Sequence, residues 1–290
     1  MSLYAIAIQP FLEYGFMRRA LVASLSLGLS AGPVGVVLML RRMSLVGDAM
    51  SHAVLPGAAI GFLVSGGLSL FSMGVGGVIA GLSVAMLSGA VSRTTVLKED
   101  ASFATFYLAS LALGVLIVSL RGSNIDLLHV LFGTILSVDR DAILMVGGIT
   151  SFTLIALALI YRPLAAECFD PAFLRSVKGH GALYHLTFLF LLVINLVAGF
   201  QTLGTLMAVG MMMLPAAVAQ LWGRTLFTMA AIAAFVAILS GYLGLLLSYR
   251  LEFASGPTII LVASAIYVLS LLAAPSGLLM RRFNRPHLSG

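Results

Sequence analysis

Charged residues are scarce in this chain, and their scarcity argues against a soluble protein. They make up 9% of 290 residues, whereas a soluble domain carries about 25%. Hydrophobic residues make up 61%, and the mean hydropathy is +1.12. Apolar runs of the roughly 20 residues that cross a bilayer recur along the chain, without the alternating segments of a membrane β-barrel. The sequence therefore predicts an all-α, polytopic helical membrane protein in a lipid bilayer.

The absence of cysteine pairs and of several sequence motifs restricts the classes of function that the chain can have. The single cysteine, Cys168, excludes an internal disulfide. No G-x-x-x-x-G-K-[ST] phosphate loop, H-E-x-x-H motif or serine elbow occurs, so the chain is predicted neither to hydrolyse ATP nor to be an enzyme. The net charge is +6, but no basic face with interleaved aromatic residues indicates a nucleic-acid partner. If the chain is a pump, its energy comes from a partner or from an ion gradient.

The apolar runs predict about nine membrane-spanning helices in one bundle, or eight if one segment is re-entrant. Pairs of glycines spaced four residues apart recur in these runs, such as Gly57 and Gly61, and they favour close packing of the helices. The predicted spans are 18–40, 46–66, 70–91, 101–120, 141–161, 184–200, 203–221, 225–247 and 257–274.

Arginine and lysine lie mostly between the apolar runs, and their distribution predicts the orientation. The clusters alternate consistently if the C-terminus is cytoplasmic and the loops at 120–140 and 248–256 are outside. With nine spans the N-terminus lies outside as well. Arg18 and Arg19 then lie on the side that the positive-inside rule disfavours.

Asp48 and His52 are the strongest candidates for chemistry, in the segment SLVGDAMSHAVLPG at 44–57. Four residues apart, they project from the same face of a helix. Carboxylate and imidazole groups bind zinc or manganese, and ionisable residues inside a span usually face a wet cavity. The alternative is that Asp48 caps the helix start while His52 hydrogen-bonds a neighbouring carbonyl.

Two prolines predict helix bends. Pro56 has no N–H, so the carbonyl of His52 loses its helical partner and can face a cavity or a cation. Pro215 frees the carbonyl of Met211 in the same way and predicts a second bent helix.

Other candidate ligands are weaker. Asp126 and His129, with Asp139 and Asp141 nearby, could form a cation entry site in an outer loop, but solvated loop residues are the favoured interpretation.

Two further groups lack a tight ligand spacing. Glu167, Cys168, His180 and His185 could form a zinc-sensing cluster, although they lack the C-x-x-C or H-x-x-x-H pattern of a closed site. The methionines at 211–213 could bind copper, but packing is the favoured interpretation.

The longest polar segment, 162–183, contains the sequence FDPAFLRSVKG. Asp170 suits a helix cap, Pro171 the first helical position and Gly179 a stop. This pattern predicts a short cytoplasmic helix that contacts a partner or lies on the lipid headgroups.

Taken together, these motifs indicate a family. From about residue 15 to residue 275 the chain resembles the membrane permease subunits of bacterial ABC importers for zinc and manganese. At Thr134, however, the family often has an acidic residue. The blocks that carry the resemblance are FMRRAL at 16–21, AGPVGVVLMLRRMSLVGDAMSHAVLPG at 31–57, LFGTIL at 131–136, FDPAFLRSVKG at 169–179, GTLMAVGMMMLPAAVA at 204–219 and ASGPTIIL at 254–261.

The resemblance implies an assembly and a location. It implies a homodimer of permease chains in the bacterial inner membrane, two cytoplasmic ABC ATPase subunits and an extracytoplasmic metal-binding protein. The chain would form one transmembrane permease domain, 1–290, with a coupling segment at about 165–182. The residues expected to contact the ATPase are Asp170, Pro171, Phe173, Leu174, Val177 and Gly179.

The resemblance also implies the cargo. Asp48 and His52 match the positions proposed to meet the metal, with zinc favoured as cargo over manganese or iron and no permanently bound cofactor. The alternative is a secondary transporter that uses this pair as a proton relay. Asp48 follows Arg42 by six residues, so a central site requires that the first helix end earlier or that the 41–47 turn enter the membrane.

Overall fold

The structure is a computed structural model that describes residues 8–66, 69–97, 99–120, 138–169 and 181–275. Within these ranges every regular element is an α-helix, which confirms the predicted fold class. The helices are α1 (Gln9–Glu13), α2 (Gly15–Leu40), α3 (Ser44–Ala53), α4 (Leu55–Ser65), α5 (Leu70–Thr94), α6 (Glu99–Leu120), α7 (Arg140–Leu159), α8 (Tyr161–Phe169), α9 (Gly181–Leu203), α10 (Thr205–Trp222), α11 (Leu226–Leu251) and α12 (Ser255–Ala273).

Nine helical segments in the described ranges are long and apolar enough to cross a membrane, as the hydropathy predicted. α3 and α4 together form one of them, Ser44–Ser65. Predicted and observed bounds agree within four residues because the apolar runs end where polar or glycine residues begin. α9 and α10 are joined by Gly204 alone, whose φ of 88° favours a residue without a Cβ.

Two helices form the centre of the bundle. In their membrane-crossing windows, 78% of α9 and 67% of α2 are buried, against 17% of α6 and of α12. α2 packs against α11, α10, α7 and α9. The outer helices keep apolar side chains exposed, which suits contact with lipid or with further protein.

Glycines bring α4 and α5 into backbone contact. A Cβ on Gly57 would collide with the carbonyl oxygen of Gly76, and a Cβ on Gly61 with the carbonyl oxygen of Ser72. The glycine spacing in α4 therefore marks a close approach of helices, as the sequence indicated.

Aromatic rings gather where α1 and the start of α2 meet the end of α11. Phe11 stacks on Tyr242 with ring centroids 5.3 Å apart, and Tyr14 lies 5.6 Å from Tyr249. Such rings are typical of a membrane interface, and the predicted topology puts these helix ends on the same side. The exposed Arg18 lies in the first turn of α2, from where its long side chain can extend to the headgroups.

The contact between α4 and α5 yields a stability prediction. Gly57→Ala is expected to lower the melting temperature of the detergent-purified protein, because overpacking costs about 1–3 kcal/mol. Gly89→Ala is the matched control, since a Cβ there meets no atom within 4 Å. Thermal unfolding of the two variants tests this, and equal melting temperatures would contradict the backbone contact.

Candidate functional site

Asp48 and His52 lie on one face of α3 and line the same cavity, of about 300 Å³. Asp48 is exposed and His52 is half-buried. The opposite wall comes from the first turns of α10 and from α12. The other lining residues are Ser51, Thr205, Leu206, Val209, Gly210 and Ile260.

The start of α3 decides between the two interpretations of Asp48. The N-cap is Met43, without a side-chain hydrogen bond, and Asp48 is the fifth residue of the helix. Asp48 therefore does not cap α3, and that alternative is wrong. Ser51, one turn on, donates its hydroxyl to the Asp48 carbonyl at 2.7 Å, which ties its side chain back to the helix.

Pro56 coincides with an interruption of the helix. α3 ends at Ala53, and α4 begins at Leu55 with Pro56 in its first turn. Val54, between them, keeps near-helical angles of φ −72° and ψ −29°, so the two helices follow one another without a loop. Pro215 differs, because α10 remains one helix across it.

One face of α6 supports this interruption. The Tyr107 ring stacks on the His52 ring, with centroids 6.2 Å apart and planes 29° apart. The Ser110 hydroxyl donates to the Ala53 carbonyl at 3.1 Å. A Cβ on Gly114 would lie 3.2 Å from the Cα of Pro56. Sequence reasoning missed these residues, because their spacing of three and four is informative only once α6 is known to pack on α3.

The segment that carries Asp48 lies beside the middle of α10 rather than beside its C-terminal end. A Cβ on the adjacent Gly47 would lie 3.1 Å from the Cε of Met212, and a Cβ on Gly35 of α2 would collide with the Met212 carbonyl oxygen. From Met212, α10 continues for ten residues, about 15 Å, to Trp222. α2 ends five residues beyond Gly35, whereas α10 continues for ten residues beyond Met212.

The cavity offers an incomplete set of metal ligands. Among the described residues, no group of three or more His, Cys, Asp and Glu side chains could hold a metal ion. Asp48 and His52 could therefore offer at most two ligands of these types, and Ser51 and Thr205 also line the cavity. A structural zinc site takes four ligands. The pair suits brief binding rather than retention.

Comparison with known proteins identifies the family. The model of the ABC 3 transport family matches residues 13–274. The chain belongs to the ABC 3 transport family. The permease is thus a subunit of a metal ABC importer of the zinc and manganese type, as its motifs indicated, and a multi-pass cell-membrane protein. It is not an enzyme, since the ATPase is a separate subunit.

Individual relatives agree with this assignment. The permease is 36% identical to the manganese transport system membrane protein MntC of Halalkalibacterium halodurans, over 98% of this chain and 96% of the relative. It is 34% identical to the manganese import system permease protein ScaB of Streptococcus parasanguinis, over 91% and 92%. Its fold matches the solved structure of PsaBC from Streptococcus pneumoniae in complex with a Fab, with a TM-score of 0.85, 29% identity and coverage of 97% and 100%.

The weaker candidate ligands have structural roles where the structure describes them. Asp139 caps α7 by accepting the Ala142 N–H at 2.8 Å, and Asp141 lies exposed in the first turn of that helix. Met211 and Met212 are fully buried, which favours packing over copper binding. Asp126, His129 and Thr134 lie outside the described residues.

Glu167 and His185 of the permease both contact the side chain of Arg41. The Nη2 of Arg41 lies 2.7 Å from Oε1 of Glu167 and 2.6 Å from Nδ1 of His185. Its guanidinium lies over the Phe188 ring, 5.5 Å from the centroid. Because this cation bonds both candidate ligands, the arrangement argues against a zinc-sensing cluster. His180, the other predicted member, lies outside the described residues.

Cys168 is an unsuitable zinc ligand as well. Burial raises the pKa of its thiol to about 11, an effect that Arg41 opposes and Glu167 reinforces. Zinc binds the thiolate, which is therefore rare at neutral pH.

The predicted coupling segment, about 165–182, begins within α8, which ends at Phe169, and ends within α9, which begins at Gly181. Its central part, 170–180, lies outside the described residues, and its contacts with an ATPase remain predictions. This applies to Asp170, Pro171, Phe173, Leu174, Val177 and Gly179.

The raised pKa of Cys168 predicts slow thiol chemistry. At pH 7.5 maleimide should label the wild-type permease slowly, and the rate should rise with pH, because the fraction of thiolate grows toward the raised pKa. The matched control is Cys168→Ser combined with Val96→Cys, since Val96 is fully exposed. Labelling followed by mass spectrometry gives both rates, and equal rates at pH 7.5 would contradict the burial of the thiol.

Proposed function

We propose that this permease carries manganese into the cell and that the ion passes through the cavity lined by Asp48 and His52. The observation that carries the proposal is that the structure joins these two side chains in one cavity, beside the middle of α10. Charged residues are costly inside a membrane, and such pairs commonly mark an ion pathway.

The cavity chemistry and the relatives together favour manganese. Carboxylate and hydroxyl oxygens suit manganese, whereas imidazole suits zinc and thiolates favour it further. Cys168 is absent from this cavity lining. Both curated relatives described above are named for manganese. The sequence favoured zinc, but no comparison supports zinc specifically, so zinc and iron become the competing cargoes.

A second permease chain would complete the ligand set. The cavity opens on the bundle surface between α3, α10 and α12, and Asp48 itself is exposed there. A two-fold partner placed on this surface would bring a second Asp48 and His52 to the same path. Two weak half-sites, rather than one closed site, let the ion enter and leave.

The proposed cycle is alternating access driven by ATP. A binding protein delivers the ion outside, and the cavity reaches the starts of α10 and α12, which the predicted topology places on that side. The Asp48 carboxylate and a neutral His52 nitrogen bind the ion briefly. ATPase movement, received through the predicted coupling segment, then opens the path inward. Family membership favours this cycle over an ion-gradient transporter with Asp48 and His52 as proton relay.

Substitution of the pair tests the path. In the permease assembled with its ATPase and binding protein, Asp48→Asn and His52→Gln should each reduce ATP-dependent manganese uptake by at least about tenfold, because each removes one of two ligands. Asp141→Asn, an exposed carboxylate on α7, is the control and should leave uptake unchanged. Wild-type uptake by either site variant, in complexes of equal yield, would refute the assignment.

Competition identifies the cargo. Proteoliposomes containing the complex and its binding protein are supplied with isotopes of manganese and zinc together. Manganese should accumulate inside in excess of zinc, because a carboxylate and imidazole pair binds manganese more weakly than zinc and therefore releases it faster. Accumulation of zinc alone would overturn the choice of manganese while leaving the importer itself intact.

A further inference from the structure

The Arg41 cluster, formed by Arg41, Glu167 and His185, joins three parts of the bundle. Arg41 is the first residue after α2, in the turn that leads into α3. Glu167 belongs to α8, and His185 to the first turns of α9. The side chains of Arg41 and Glu167 are each only 12% exposed. The transport site described above does not use these residues.

The pairing at this cluster is incomplete. Nη2 of Arg41 serves both Oε1 of Glu167 and Nδ1 of His185. The buried Nη1 of Arg41 and Oε2 of Glu167 have no hydrogen-bond partner among the described residues. A guanidinium and a carboxylate can form two parallel hydrogen bonds, which would satisfy both atoms. The same two side chains would satisfy both atoms in a fork-to-fork arrangement, which a shift of α8 relative to the turn would allow.

The turn after α2 connects this cluster to the helix that carries Asp48. The Met43 N–H donates to the Leu38 carbonyl at 3.0 Å, and Arg42 takes a left-handed φ of 59°. This compact turn allows little movement of Arg41 relative to the start of α3 at Ser44. Asp48 follows one turn later on the same helix. At the other end, Glu167 lies in the predicted coupling segment, three residues before Asp170, the first residue expected to contact the ATPase.

We infer that Arg41 and Glu167 form a positioning pair that transmits movement of α8 to α3, and so to Asp48. The inference rests on the proposed function, because it assigns the pair a step in the transport cycle. A pair that only stabilised the fold would matter for assembly alone. A positioning pair also determines how much metal moves for each ATP hydrolysed.

Three variants separate these roles. Glu167→Gln leaves a buried, uncompensated arginine and should lower the yield of complex. Arg41→Met combined with Glu167→Met removes both charges, so it should restore assembly. Arg41→Lys keeps the charge but cannot form the fork. Arg162→Gln is the control, since it removes an exposed arginine from the same helix, α8.

The first measurement is manganese uptake per ATP hydrolysed by reconstituted complexes. The double variant and Arg41→Lys should each assemble and lose about tenfold in this ratio, the size of a typical coupling between sites. Arg162→Gln should keep the wild-type ratio. A wild-type ratio in the double variant, or in Arg41→Lys if the double variant does not assemble, would overturn the inference.

The second measurement does not depend on the cargo. Leu45, 71% exposed in the first turn of α3, is replaced by cysteine in a Cys168→Ser background and labelled with a fluorophore. Nucleotide binding to the complex should change the fluorescence with Arg41 and Glu167 present, but not in the double variant. An unchanged response in the double variant would refute the inference. If the double variant loses the fluorescence response and the wild-type complex imports no metal, the proposed function fails and the positioning role stands.

Discussion

Close contact between the backbones of α4 and α5 is the constraint on which the site depends. Gly57 and Gly76 leave no space for a side chain between them, so α4 is held against α5 directly after Pro56. With α4 fixed there, the interruption at Val54 determines the direction in which α3 leaves. α6 then packs across the interruption and places an aromatic ring on His52. The position of the imidazole thus depends on contacts made by residues that have no metal chemistry.

Much of the fold could be predicted because the membrane imposes a local rule. A helix must be apolar for about 20 residues to cross the bilayer, and hydropathy alone therefore predicted the nine spans and their bounds. The helical period placed Asp48 and His52 on one face, and the structure shows them in one cavity. The position of Asp48 along α10 was not predictable, because it depends on how far α2 and α10 are offset along their axes.

Long-range contacts account for what the sequence did not reveal. Arg41 has the same local features as any arginine at a membrane boundary, and only the fold brings Glu167, 126 residues away, to its side chain. Tyr107 has the same limitation, since an aromatic residue in a membrane helix usually faces lipid or core. In both cases the informative property is the partner, which a single sequence does not specify.

The one-residue connection at Gly204 links two regions that otherwise have separate roles. α9 carries His185 near its start and runs through the centre of the bundle, whereas α10 forms a wall of the cavity. A single residue between them allows rotation about one backbone position but almost no separation of the two helix ends. The cavity wall at Thr205 can therefore tilt about Gly204. Any opening of the cavity on that side must be a rotation of α10 about this residue rather than a translation away from α9.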